Sequence, residues 1–214
     1  RVYLIEHHLF NNWASNDLNL SHVSFLVELV SNQKIRVLES SLWDYLLYDK
    51  LSLPPKFHCY ELMLISTIKW LKTFFKGISL QKTIIHGDFV PWNTINNEKG
   101  LSVLDWEHSF IDGLPLFDII HWQFQTAFLL YNKSCKEAVD GLLQDMSGFP
   151  VSKYMKESSL NSSLIIPLLI LYICHRICRT AIINSIFGFD PDGRTSNFRN
   201  WFASLDFLRK LYVQ

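Results

Sequence analysis

The sequence predicts an α+β domain that is mostly helical, with a small β-hairpin unit near its middle. Apolar residues recur at helical spacing before residue 76 and after residue 115. Between these regions, around residues 83–104, the pattern changes to that of extended strands. The chain has 214 residues, 49% of them hydrophobic, which is enough to bury one large core. We therefore expect residues 1–214 to form a single domain or one lobe of a larger protein.

The first third of the chain is predicted to be largely helical. Residues 2–5 form either an edge strand or the tail of a linker. Apolar spacing then predicts three helices, over residues 16–31, 36–48 and 58–75. Asn16 or Ser21 can cap the first helix, and Pro54 follows the second. Gly77 is suited to end the third, which has the clearest apolar stripe.

The middle of the chain is predicted to hold the β-unit, and the remainder is helical again. Residues 83–85 form a short strand that leads into a polar stretch. Residues 94–95 and 101–104 are then two arms of a hairpin around a turn at residues 97–100. After a loop, four helical segments are predicted, near residues 116–131, 136–146, 162–186 and 196–212.

Composition excludes several classes of function. The formal net charge is zero, so no electrostatic footprint for nucleic acid or an anionic membrane is visible. The longest apolar run, residues 164–174, contains Pro167 and ends in His175 and Arg176, which makes it too short to span a bilayer. We expect it to be a buried core helix. The four cysteines lack zinc-ribbon spacing, which favours reduced thiols and a cytoplasmic protein.

The polar stretch at residues 86–93 is the strongest chemical signal in the sequence. Asp88 and Asn93 lie five residues apart after a predicted strand, and Asp105 follows the next strand arm. Phosphoryl transfer needs a group that orients and deprotonates the attacking hydroxyl, together with ligands for Mg²⁺ on the phosphates. Carboxylate and amide oxygens are the ligands that Mg²⁺ prefers. The two arms of the hairpin would bring Asn93 and Asp105 to the same end.

The amino-acid sequence of this stretch resembles that of the aminoglycoside phosphotransferase and choline kinase family. The spacing His-x-Asp-x-x-x-x-Asn, followed by a strand ending in Asp, is the catalytic layout of kinases. Gly87, Pro91, the Asp105-Trp106-Glu107 triplet and residues 113–118 sharpen the resemblance, which runs from His86 to about Trp122. It implies the C-terminal lobe of a protein-kinase-like fold, in which the β-hairpin unit carries the catalytic loop. The implied cofactors are Mg²⁺ and ATP or another nucleoside triphosphate.

The resemblance also implies roles for individual residues. Asp88 would be the catalytic base, with Asn93 and Asp105 as magnesium ligands. Three residues would support them, namely His86, Glu107 and Asp118. His86 would brace the loop and Asp118 would hold it, whereas Glu107 either assists the metal or bonds to nearby backbone. The residues that bind the acceptor are not assigned.

Other polar and aromatic residues have structural interpretations. A single Asp in a turn is usually a cap or a turn former, which applies to Asp112 and Asp118 taken alone. We interpret Trp92 and Trp106 as core aromatics. His121, like the pair at residues 7–8, is expected to be a surface histidine or a core histidine with satisfied hydrogen bonds.

The nucleotide-binding half of a kinase is not recognisable in the sequence. No glycine precedes Gly77, so a glycine-rich loop over the phosphates is missing. We expect the N-terminal lobe to lie upstream of Arg1 in the parent protein, and this chain alone to bind ATP weakly. The leading hypothesis is a small-molecule kinase that acts on a hydroxyl of a sugar, aminoglycoside, amino alcohol or similar metabolite. The alternative is a catalytically silent pseudokinase or scaffold module.

Overall fold

The structure is a computed structural model that describes residues 15–46, 53, 55–97, 100–187 and 198–213. Within these ranges the chain is mostly helical. The helices are α1 (Leu20–Glu28), α2 (Glu61–Phe74), α3 (Phe117–Gln125), α4 (Cys135–Ser147), α5 (Val151–Glu157), α6 (Ile165–Phe187) and α7 (Phe198–Tyr212). The strands are β1 (Val30–Arg36), β2 (Ser79–Ile85), β3 (Thr94–Asn97), β4 (Gly100–Val103) and β5 (Phe110–Gly113). The predicted α+β class is therefore confirmed. Residues 2–5, 7–8 and 188–193 lie outside the described part.

Helix α1 confirms the first predicted helix but begins at a different cap. Asn19 has extended backbone angles, and its side chain accepts hydrogen bonds from the amides of Ser21 (3.0 Å) and His22 (3.4 Å). The His22 ring accepts from the Asn19 amide in return, at 3.2 Å. This reciprocal capping box satisfies amides that have no partner inside the helix. The cap is therefore Asn19, and the predictions of Asn16 and Ser21 are wrong.

The helix predicted over residues 36–48 is wrong. Strand β1 ends at Arg36, and two short 3₁₀ turns follow, at Val37–Glu39 and Ser41–Leu46. Leu42 and Leu46 are buried as the apolar pattern required. A 3₁₀ turn places every third residue on the same face, so a spacing of three or four also fits this geometry.

The strands form two separate sheets, and the polar stretch connects one to the other. Strand β2 lies between β1 and β5 in an antiparallel three-stranded sheet. Strands β3 and β4 form the predicted hairpin, with Thr94 opposite Val103. The polar stretch begins where β2 ends and finishes where β3 starts. The hairpin prediction is confirmed, whereas β1 and β5 were not predicted.

Helix α6 is the centre of the hydrophobic core. It packs against α2, α3 and α7, and the side chains from Leu168 to Cys174 are almost fully buried. Pro167 is tolerated because it lies in the first turn, where its missing amide has no helical partner to lose. By length and composition, residues 162–182 could cross a membrane, but 67% of the apolar window is buried inside the fold. The prediction of a core helix is confirmed, whereas the prediction that the segment is too short to span a bilayer is wrong, because the helix extends well beyond residues 164–174.

The remaining helices close the fold around α6. Helix α3 continues into a π-helical turn at Thr126–Leu130, and α4 begins with a capping box between Ser134 and Glu137. Helix α5 was not predicted. It packs against α1 and α4, so the N-terminal and C-terminal halves of the described chain share one core.

Candidate active site

The polar stretch leaves β2 through a turn that only glycine fits. Gly87 has a φ of +81°, a left-handed conformation that L side chains rarely adopt. A Cβ at this position would also overlap the backbone carbonyl of His108. The close approach of these two backbone segments fixes the direction in which the chain enters the loop.

His86 connects this loop to the segment just before Asp105. Its side chain is fully buried, and its Nε2 lies 2.7 Å from the carbonyl oxygen of Leu104. Its Nδ1 accepts a hydrogen bond from the amide of Asp88 at 3.2 Å. Since Nδ1 is the acceptor, the ring proton is on Nε2, where it is donated to the carbonyl. The imidazole therefore holds together the two segments that carry Asp88 and Asp105.

Asp118 holds the same loop from the first turn of α3. Its Oδ2 accepts the amide of His86 at 2.8 Å, and its Oδ1 accepts the amide of Gly87 at 2.9 Å. Burial raises the pKa of Asp118 to about 6, while the two backbone hydrogen bonds act in the opposite direction. The carboxylate satisfies two backbone donors that would otherwise be buried without a partner.

Asp88 has one hydrogen bond to each carboxylate oxygen. Its Oδ1 lies 2.9 Å from Nε2 of His121, and its Oδ2 accepts from Nδ2 of Asn93 at 3.0 Å. The side chain remains 32% exposed, so a ligand can reach it. Burial opposes ionisation, but the hydrogen bond from His121, the charges of His121 and Arg176, and the Asn93 amide outweigh it and hold the pKa of Asp88 at about 2. Asp88 is therefore ionised at neutral pH.

Asn93 is oriented so that its amide oxygen is available. Its Nδ2 donates both to the backbone carbonyl of Asp88, at 2.9 Å, and to the Asp88 carboxylate. Within the described part of the chain its Oδ1 accepts no hydrogen bond. Pro91 begins the 3₁₀ turn that holds Asn93 just before β3. The turn and the two donated bonds together fix which way the amide faces.

Asp105 arrives at the same end of the hairpin on the opposite arm. The amide of Leu104 donates to the backbone carbonyl of Asn93 at 2.9 Å, so the backbone places Asp105 one residue beyond Asn93's partner. Asp105 has left-handed backbone angles (φ 63°, ψ 63°) and an exposed side chain. A non-glycine residue in this conformation is strained, and such strain is concentrated at functional sites.

The structure joins some of the predicted site residues by side-chain hydrogen bonds and leaves others outside this network. His86, Asp88, Asn93 and Asp118 form one hydrogen-bonded network, and Asp105 joins it through the backbone. Glu107 is exposed, and its carboxylate lies 3.6 Å from Nε2 of His108. Trp92 and Trp106 are 39% and 36% exposed, so the interpretation of both as core aromatics is wrong.

Sequence reasoning missed the involvement of His121 and Tyr172. His121 is a buried histidine with both ring nitrogens bonded, as one of its two interpretations stated, but one of its partners is Asp88. The available signal was its position three residues after Asp118, which places both side chains on one face of a helix. No local pattern points to Tyr172, which reaches His121 from α6.

The residues present fit a magnesium ion. Asn93 Oδ1 and the Asp105 carboxylate are hard oxygen donors, and neither is used by another side chain in the described structure. Among the described residues, His, Cys, Asp and Glu side chains form no group of three or more that could hold a metal. Mg²⁺ at phosphate sites usually takes only one or two carboxylates and completes its shell with phosphates and water, so such a group is not required.

The fold is a mostly helical α+β architecture with two small sheets. Among solved structures, the crystal structure of LicA in complex with AMP is similar to this chain, with a TM-score of 0.53 and 17% sequence identity. The likeness covers 87% of this chain and 61% of the LicA chain. At that identity it shows the fold alone. No family model matches the sequence, and no curated protein matches it.

Proposed function

We propose that the protein is an ATP-dependent kinase of small molecules, which transfers the γ-phosphoryl group to a hydroxyl. The observation that carries this proposal is the bond between Asp88 and Asn93, with Asp105 delivered to the same hairpin end. The fold likeness to LicA, whose structure contains AMP, supports a nucleotide as the phosphoryl donor. The acceptor classes that we propose are a sugar, an aminoglycoside, an amino alcohol or a similar metabolite.

Asp88 would act mainly by orienting the acceptor. With a pKa of about 2 it is a weak base towards an alcohol, so it accepts a hydrogen bond from the hydroxyl in the ground state. It would take the proton only as the new bond to phosphorus makes that hydroxyl acidic. This role agrees with the loose transition state of phosphoryl transfer, in which positioning supplies most of the catalysis.

Asn93 and Asp105 would hold Mg²⁺ on the nucleotide phosphates. When bound, the metal neutralises charge that develops on the phosphoryl oxygens. The contribution of Asn93 is its free amide oxygen, since its Nδ2 is committed to Asp88. For the whole protein we also propose an N-terminal lobe that binds the nucleotide, and a cytoplasmic location. His86 and Asp118 would keep the loop in place, and we assign no role in metal binding to Glu107.

The test is ATP consumption by the longest form of the protein that contains this chain, across a panel of hydroxylated metabolites. We expect Asp88→Asn to lower kcat with the preferred acceptor by about 10²- to 10⁴-fold, because the hydroxyl loses its anionic acceptor and the group that takes its proton, while the side-chain volume is kept. The matched control is Asp140→Asn, which removes an exposed carboxylate paired with Lys136 on α4. Its turnover should stay within about twofold of wild type.

Two results would contradict the proposal. Unchanged turnover in Asp88→Asn would show that this carboxylate is not in the reaction. Absence of acceptor-dependent ATP consumption across the panel would favour the silent scaffold instead.

A further inference from the structure

Helix α3 contacts the catalytic loop through two side chains on the same face. Asp118 holds the loop backbone at His86 and Gly87, and His121, three residues later, reaches the side chain of Asp88. Residues three apart on a helix lie side by side. The helix that fixes the course of the loop therefore also contacts the carboxylate at its tip.

The protons in this contact can be assigned from the chemistry of the partners. Asp88 is ionised and can only accept, so Nε2 of His121 must carry a proton. Burial lowers the pKa of His121 to about 4, with the charge of Arg176 acting in the same direction and the hydrogen bond to Asp88 opposing it. The ring is then neutral at pH 7, and its Nδ1 carries no proton.

Tyr172, on α6, is the second hydrogen-bond partner of the His121 ring. Its hydroxyl lies 2.7 Å from Nδ1 of His121, and burial raises its pKa, so the hydroxyl is protonated and donates. The bonds therefore run in one direction, from Tyr172 through His121 to Asp88. The hydroxyl favours the one neutral tautomer of His121 that can donate to the carboxylate.

The other charged and titratable groups around His121 agree with a neutral ring. The charges of Arg176 and Arg179 on α6 lower the pKa of His121. His175 on the same helix is buried close to His121. Asp88 is the carboxylate that bonds to it. A second proton would give the ring a positive charge beside two guanidinium groups, which is unfavourable in a buried site.

We propose that His121, held in one tautomer by Tyr172, is a positioning residue that fixes the orientation of the Asp88 carboxylate towards the acceptor hydroxyl. The inference rests on the proposed function and goes beyond it. His121 donates to Oδ1 while Asn93 donates to Oδ2, so the carboxylate is held at both oxygens. Each oxygen can accept a further hydrogen bond, which leaves room for the hydroxyl.

The kinetic test compares three variants with the active acceptor from the panel. His121→Leu removes the donor, and we expect kcat to fall by about 10- to 100-fold with KM within about twofold, because misorientation of a reacting group costs rate rather than binding. His121→Gln restores an N–H and should recover kcat to within about fivefold of wild type. Tyr172→Phe should lower kcat by about three- to tenfold, since the ring then loses the hydrogen bond to Nδ1 that helps to hold its orientation.

The matched control is Tyr154→Phe, which deletes a hydroxyl from another buried tyrosine. Its hydroxyl interacts with Thr83, with the backbone of Leu116 and with the charge of Asp118, but not with His121 or Asp88. We expect its kcat and KM to match those of wild type. A purely structural effect of losing a buried hydroxyl would lower the activity of both tyrosine variants.

A spectroscopic test does not depend on turnover. Histidine ring ¹⁵N resonances of the full chain, with His121 assigned by its loss in His121→Gln, should show a neutral ring protonated at Nε2 at pH 7. Tyr172→Phe should shift the Nδ1 resonance, because the hydroxyl no longer donates to that nitrogen, while Nε2 stays protonated against Asp88. A ring protonated at Nδ1 would overturn the inference. A kcat of His121→Leu equal to that of wild type, while Asp88→Asn is inactive, would also overturn it. If the wild-type protein itself turns over no acceptor, the proposed function is contradicted instead.

Discussion

Gly87 shows at the scale of one residue how backbone geometry supports the candidate site. Replacing it with Ala adds a Cβ in a left-handed conformation and forces that Cβ against the backbone of His108. We expect Gly87→Ala to lower the free energy of unfolding by at least about 2 kcal/mol, because the strain and the overlap add. Urea unfolding followed by circular dichroism measures the change.

Two other glycines separate the contributions to that loss. Gly77 also has a positive φ (+78°) but open space around it, so Gly77→Ala should cost only the strain, about 1 kcal/mol. Gly141 lies within α4 with room for a methyl group, so Gly141→Ala should stabilise the protein by about 0.5–1 kcal/mol. An equal effect at positions 77 and 87 would show that the His108 contact has no cost.

The predictable part of the site is the part encoded locally. His86, Asp88 and Asn93 lie within eight residues, and Asp105 follows one hairpin later, so spacing alone indicated that they would meet. The partners of Asp88 on α3 and α6 could not be found in this way. His121 and Tyr172 are joined across 51 residues of sequence, and only the packing of two helices brings them together.

At the scale of elements, strand β1 was missed for a physical reason. Strand β1 has seven residues, but the side chains from Asn32 to Lys34 are exposed, so its sequence carries no apolar alternation. Its stability comes from pairing with β2, where Lys34 lies opposite Gln81. Such long-range pairing is not visible in a local window, whereas the apolar stripe of α2 and the continuous apolar run of α6 are.

At this scale we predict the effect on stability of a substitution in helix α6. Ile173 is fully buried at the centre of the core, so Ile173→Ala should lower the free energy of unfolding by about 2–5 kcal/mol through lost burial and a residual cavity. The control is Leu211→Ala on α7, where the side chain is 52% exposed and the change should stay within about 0.5 kcal/mol. Chemical denaturation compares both variants with wild type. Equal small effects would contradict the placement of α6 in the core.

At the scale of the whole molecule, buried neutral histidines couple stability to pH. Burial lowers the pKa of His22 and His121 from 6.5 to about 4, and that of His175 well below its usual value. Between these values the unfolded chain binds protons that the folded chain does not, so acid favours unfolding. Their contribution to stability is fully present above pH 6.5 and is lost as the pH falls towards 4.

Asp118 acts in the opposite direction, because its pKa is raised to about 6 and the folded chain binds that proton before the unfolded chain does. The three histidines outweigh this single carboxyl. We therefore expect the free energy of unfolding to decrease from pH 7 to pH 4.5, with His121 accounting for up to about 3 kcal/mol of the loss over the full range to pH 4. Asp88 does not contribute in this window, because its stabilising effect is lost only as the pH falls below about 4 towards 2. Urea unfolding at half-unit pH steps measures the slope. His121→Gln cannot titrate there, so its slope should be smaller than that of wild type. Identical slopes would show that His121 is accessible to protons in the folded state, which contradicts its burial between α3 and α6.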